Sequence, residues 1–103
     1  MADSFSYKII TESELFTFDF SQVLLPSETI STATCTVLVM DGTDTNPTNI
    51  LIGSAAISNK TASQRIANGV TEVTYRLVMT ITTSNGNTYV GVGDLSMYDS
   101  SLV

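Results

Sequence analysis

The chain has 103 residues, 10 acidic and 4 basic, for a net charge of −6, with no His, no Trp and one Cys. That length fits one domain and is too short for two independent cores, and 43% hydrophobic against 14% charged residues argues against both a disordered and a membrane-spanning chain. The acidic balance speaks against nucleic-acid binding, which needs clustered Lys and Arg; lack of His removes Ser-His-Asp and Cys-His catalysis and the commonest zinc ligand, and one Cys makes no internal disulfide.

The first residues, Met1 to Lys8, lack the basic start and apolar run of a secretory signal. No apolar stretch approaches the roughly 20 residues of a transmembrane helix. The expected compartment is therefore the cytoplasm, unless the chain leaves inside a larger particle. Phe5, Tyr7, Ile9 and Ile10 alternate with polar residues and predict a strand near 7–10. This arm is read either as the first strand of the domain or as an extra strand offered to a neighbour.

Thr and Ser number 16 and 13, and many Thr fall inside apolar runs, which favours sheet because β-branched Thr suits the solvent face of a strand. Over 15–20 the three residues Phe16, Phe18 and Phe20 share one face and Thr17 and Asp19 the other. Leu25-Pro26-Ser27 breaks the chain, since Pro has no ladder donor. Over 30–40, Ala33, Cys35, Val37 and Val39 oppose Thr32, Thr34 and Thr36. The stretch from Asp41 to Pro47 is dense in turn formers. Strands follow near 50–57 and 62–67, with a short helix as the alternative reading of the latter. Asn59-Lys60-Thr61 is a sequon by pattern and is read as part of a turn. After Asn68-Gly69 the longest alternation, Val73, Tyr75, Leu77, Met79 and Ile81, predicts a strand over 72–83. Ser84-Asn85-Gly86-Asn87 joins it as a hairpin to a last strand over 87–97. Leu95, Met97, Tyr98, Leu102 and Val103 are, like the arm, assignable either to the core or to a partner.

About seven short strands with turns between them predict an all-β, immunoglobulin-like antiparallel sandwich in a single domain, 1–103, with 1–14 as arm or first strand. Gly69 followed six residues later by Tyr75 is the spacing at which such domains place a Tyr whose hydroxyl bonds to nearby backbone; an ordinary core Tyr is the other reading.

The search for chemistry finds no constellation, so no catalytic, cofactor-binding or metal residues are assigned and no enzyme is expected. Cys35 shares an apolar alternating face and is expected buried and inert. Glu12, Glu14, Glu28, Glu72 and Asp94 are scattered and read as solvated surface, not as a facing pair. The Asp41–Asn46 loop holds several oxygen ligands without the EF-hand order, so a solvated turn is favoured over Ca²⁺. Gly91 and Gly93 inside a strand suggest a bulge or a close backbone approach.

The order of motifs resembles the phage fiber-tail adaptor proteins, small virion components of bacteriophages and prophages. The resemblance rests on Phe18-Asp19-Phe20-Ser21, Leu25-Pro26-Ser27-Glu28-Thr29-Ile30, Ser63-Gln64-Arg65-Ile66, Asn68-Gly69, Tyr75-Arg76-Leu77 and Thr82-Thr83-Ser84-Asn85-Gly86, across roughly 16–90. The turn after Gly69 departs from that pattern, reading Val70-Thr71-Glu72 without a second Gly, and residues 1–14 are not matched. The resemblance implies a non-enzymatic virion protein, in multiple copies, joining tail or head-tail junction components to tail fibres. Its partners would be other virion proteins, with no nucleic acid or membrane. Two rival readings are a capsid decoration protein on the same fold and a carbohydrate- or calcium-binding module using Tyr7, Tyr89 or Tyr98 as a stacking surface and the Asp41–Asn46 loop for the ion.

Overall fold

The computed structural model describes residues 2–5 and 7–102. Strands β1 (Ala2–Ser4), β2 (Lys8–Ile9), β3 (Glu14–Asp19), β4 (Ile30–Asp41), β5 (Leu51–Ser58), β6 (Thr61–Ile66), β7 (Thr74–Thr83) and β8 (Thr88–Tyr98) form two sheets. In one, β7 lies between β4 and β8, and the outer side of β8 carries β1 and β2; in the other the order is β3-β6-β5. Counting β1 and β2 as two pieces of one interrupted strand, this is a seven-stranded sandwich. The second, fifth and fourth strands face the third, sixth and seventh, which is the division of an immunoglobulin-type sandwich. The 62–67 stretch is a strand, not a helix: Ala62, Gln64 and Ile66 point inward with a period of two.

Period two is most regular in β7, where every second side chain from Tyr75 to Thr83 is buried. Tyr75, Leu77, Met79 and Ile81 are fully buried and meet Phe16, Phe18, Phe20 and Ile66 from the facing sheet in one core cluster. Each such apolar side chain contributes about 1.5–3 kcal/mol by leaving water.

Two details differ from expectation. The N-terminal pieces run parallel to β8, with Ala2 opposite Val92 and Lys8 opposite Met97. Parallel pairing is open to them because most of the chain separates them from β8, so no hairpin imposes an antiparallel approach. The arm also changes face. Phe5 is half-buried and Tyr7 exposed, but Lys8, read as polar outside, is fully buried. Its ammonium donates to the carbonyls of Ile9 at 2.9 Å, Asn68 at 2.9 Å and Ile10 at 3.4 Å, which ties the arm to the turn after β6. Burial lowers its pKa, while Glu12 and Glu14 pull the other way.

Gly91 and Gly93 mark close approaches. A Cβ at Gly91 would sit 3.0 Å from the Phe20 ring and 3.1 Å from that of Phe18, and one at Gly93 would overlap the ring of Phe5. Phe5 cannot retreat freely, because it packs on Phe16 and Phe18 with centroids 5.0 and 5.4 Å away. Gly93→Ala is therefore expected to cost about 1–3 kcal/mol through overpacking. It should also release the arm first: amide exchange at Phe5 and Ile10, which donate to Asp94 and Tyr98, would accelerate before that of β7. Uniform acceleration across the sandwich would refute this account.

The turn lacking a second glycine has its own signature. Glu72 adopts φ 64°, a left-handed conformation that Gly takes without steric cost. Glu72→Gly should relieve strain and stabilise the domain by about 0.5–1 kcal/mol in denaturant unfolding, net of the added chain entropy. A loss of stability would mean that the Glu side chain holds the turn.

Candidate functional site

No facing carboxylate pair or nucleophile–base pair emerges among the described residues, and no group of three or more His, Cys, Asp or Glu is placed to hold a metal. Cys35 is buried, and burial pushes its thiol pKa up to about 11, away from the thiolate that nucleophilic chemistry needs.

The Asp41–Asn46 loop is bound to the fold rather than open to an ion. Asp44 accepts the Tyr75 hydroxyl proton at 2.6 Å through Oδ2 and the Asn46 N–H at 2.9 Å through Oδ1. The same Tyr75 hydroxyl accepts the Val70 N–H at 3.0 Å. The spacing Gly69 to Tyr75 thus makes the backbone-bonding corner, with Asp44 as a second partner that lies 31 residues away in sequence. Burial, then the bond to Asp44, raises the Tyr75 pKa to about 12.

Glu28 was expected on the surface and is instead fully buried. The Pro26 turn folds it under the β7–β8 hairpin, where its carboxylate accepts from the Thr83 hydroxyl, from the Leu25 N–H at 3.0 Å and from the Asn87 side-chain amide at 2.9 Å. These bonds, Thr83 foremost, hold its carboxyl below the usual range. Asp94 is also committed. It forms a bidentate pair with Arg76 at 2.7 and 3.0 Å, and that hydrogen-bonded pairing lowers its pKa. Glu12, Glu14 and Glu72 are exposed, as expected.

The three tyrosines do not form one platform. Tyr7 and Tyr98 meet edge-on at 5.8 Å, whereas Tyr89 packs against the core near the other end of β8, about 30 Å away at strand rise. Leu95 and Met97 belong to the core; Leu102 is exposed, and Val103 lies outside the described residues.

The sheet edges differ in how far they admit a partner strand. Of the outer strands, β3 is short and bounded by Glu14 and Asp19, and β1 and β2 have three and two residues. The ladder of β5 with β6 is interrupted between Ile52 and Ala56, where Gln64 turns its amide inward to bond the carbonyls of Ile52 and Gly53 at 3.1 and 3.2 Å. These are the recognised ways of blunting an edge. The remaining outer strand, β4, is twelve residues long, in unbroken register with β7 from Thr32 to Val39, and free of charge and Pro from Ile30 to Met40.

Against this geometry, residues 8–92 match the family described as podophage GP4 fiber-tail adaptor protein gp77. The chain belongs to the podophage fiber-tail adaptor family. The adaptor match reaches back to residue 8, so the segment from 8 to 14, which the sequence resemblance left out, lies within the family's extent. Membership makes this adaptor-family protein a phage structural component, of a family that works by joining virion proteins, tail fibres among them. The motifs that carried the resemblance now have physical roles: Glu28 with Thr83 clamps turn to hairpin, Gly69 with Tyr75 makes the corner, and Gln64 braces β5. They hold the adaptor fold together by joining turns, hairpin and strands. No curated protein matches the sequence. Among solved structures, the 2,6-sialyltransferase of Vibrionaceae Photobacterium sp. JT-ISH-224 aligns at 13% identity with a TM-score of 0.45, over 96% of this chain and 18% of that one. No helix among the described residues is long and apolar enough to cross a membrane.

Proposed function

We propose that this protein is a non-enzymatic adaptor, present in several copies per virion, that joins the tail or head-tail junction to the tail fibres. The observation that carries the docking part of this reading is β4: a long, regular, uncharged outer strand on a sandwich whose other edges are blunted. Such an edge accepts an extended segment of a partner by main-chain hydrogen bonding, with alternate side chains setting specificity. Many copies in a symmetric particle, each burying a modest patch, hold a fibre more firmly than any single contact. The buried, unactivated Cys35 and the committed Asp94, Glu28 and Asp44 support the non-enzymatic part. Of the rival readings, calcium or carbohydrate binding finds less support, because Asp44 already serves Tyr75 and the tyrosines are dispersed.

Electron cryomicroscopy of the purified particle tests the proposal. The expected result is density for the sandwich in a ring touching both tail and fibre, with β4 against a partner strand. Density on the capsid lattice would favour the decoration role, and absence from the particle would overturn the virion reading.

A further inference from the structure

The outer face of the β4–β7–β8 sheet is built unlike the rest of the surface. Its cross-strand rows run Thr32–Thr82–Thr88, Thr34–Thr80–Val90, Thr36–Val78–Val92 and Leu38–Arg76–Asp94. Leu38, Met40 and Val90 are about half exposed, at 55%, 49% and 52%. The only charges in these rows are Arg76 and Asp94, which neutralise each other. On a chain of net charge −6, this face is neutral, threonine-rich and studded with apolar side chains. The opposite outer face also exposes apolar Leu15 and Ile52, but it displays Asp19 and Arg65 on separate rows without such pairing.

The missing charge has gone to one end. Glu12, Glu14, Asp41, Asp44, Glu72 and Asp99 all lie where β4 and β8 finish and β3 and β7 begin. The other end carries fewer charges: Lys60, Asp19 and the buried Glu28.

We propose that this face packs against the same face of a second copy of the chain, around a twofold axis that sets the strands of the two copies antiparallel. The inference rests on the multi-copy adaptor reading and names the contact between copies. A neutral face is where two strongly acidic chains approach with least repulsion, and charge depletion marks the centre of protein interfaces. The antiparallel arrangement keeps the two acidic ends apart and sets each beside the less acidic end of its partner. Nine residues along each of the three strands span about 30 by 15 Å, or about 900 Å² for the pair, in the range of weak, transient contacts. Association is therefore weak, in the micromolar range, and many contacts in a particle make it sufficient.

Sedimentation equilibrium of the full chain from about 1 to 200 μM tests this. A monomer–dimer equilibrium is expected, not weakened by salt, since screening relieves the repulsion of the acidic ends while the contact itself carries no net charge. Val90→Arg and Thr80→Arg, both on the face, should each raise the dissociation constant at least tenfold. Thr17→Arg, on the opposite face, should leave it unchanged, and thermal melts would establish that all three remain folded. A monomer at every concentration, or a dimer broken by Thr17→Arg but not by Val90→Arg, overturns the proposal. The two readings fail separately: a monomeric chain that still rings the tail with this face in solvent overturns the contact alone, whereas a dimer absent from the particle overturns the adaptor role.

Discussion

Replacing Tyr75 by Phe lowers the stability of the domain by about 1.5–3 kcal/mol, read as an earlier denaturant midpoint at unchanged slope. The ring packing survives, so the loss comes from the hydroxyl. That hydroxyl links the loop after β4, through Asp44, to the turn before β7, through the Val70 N–H. Without it a part-buried N–H has no partner, and the 2.6 Å charge-assisted bond to Asp44 disappears. The same group sets an alkaline limit. Its folded pKa of about 12 lies above the ordinary value of 10.0, so its contribution is complete below pH 10 and is lost as the pH rises towards about 12. Tyr75→Phe removes that dependence. An unchanged midpoint in the variant, or an alkaline transition that persists in it, would show the corner to be incidental.

Glu28→Ala is the second large effect, with an expected fall in Tm on the order of 10 °C. Three donors converge on this one carboxylate: the Thr83 hydroxyl, the Leu25 N–H and the Asn87 amide. Truncation strands them together and uncouples the Pro26 turn from the β7–β8 hairpin. Glu28→Gln keeps the shape and one acceptor and should fall between wild type and Ala. The sign with pH follows from a folded pKa below the ordinary 4.5: the stabilisation is present above the unfolded value and lost as the pH falls through the folded one. Asp94, held low by Arg76, and Asp19, held low by its bond to Ser21, titrate in the same direction. The diagnostic quantity is therefore the gap between wild type and Glu28→Gln, which narrows in acid. A gap independent of pH would mean that the ionised form contributes nothing.

Both effects mark where reading the sequence succeeded and where it stopped. Tyr75 stood out because its distance from Gly69 is local, and the hydroxyl does bond to backbone within that interval. Its other partner, Asp44, was assigned to a solvated or ion-binding loop, because a contact spanning 31 residues leaves no trace in local spacing. Glu28 and Lys8 were missed for a related reason. Charged residues are ordinarily solvated, and only the convergence of donors or carbonyls from distant elements makes their burial affordable. Gly91 and Gly93 were noticed as a pair, but that one lies beneath Phe18 and Phe20 and the other beneath Phe5 depends on how the sheets and arm stack.

The sequence alone determined the strands with long alternation and their inward faces, because alternation is a property of single strands: Phe16 with Phe18 and Phe20, and Tyr75 through Ile81, face the core as their period requires, whereas 62–67 stayed open to a helical reading. It also determined the breaks, through Pro26, Asn68-Gly69 and Asn85-Gly86, and the buried, inert state of Cys35. Only the tertiary structure decided which strands are neighbours: that β1 and β2 lie parallel to β8, that β4 is left as the long outer strand, and that the threonine rows of β4, β7 and β8 align into one neutral face. Pairing joins residues from distant parts of the chain, and its free energy comes from surfaces that meet only after folding. A local pattern records which side of a strand is apolar, but not what will lie against the other side.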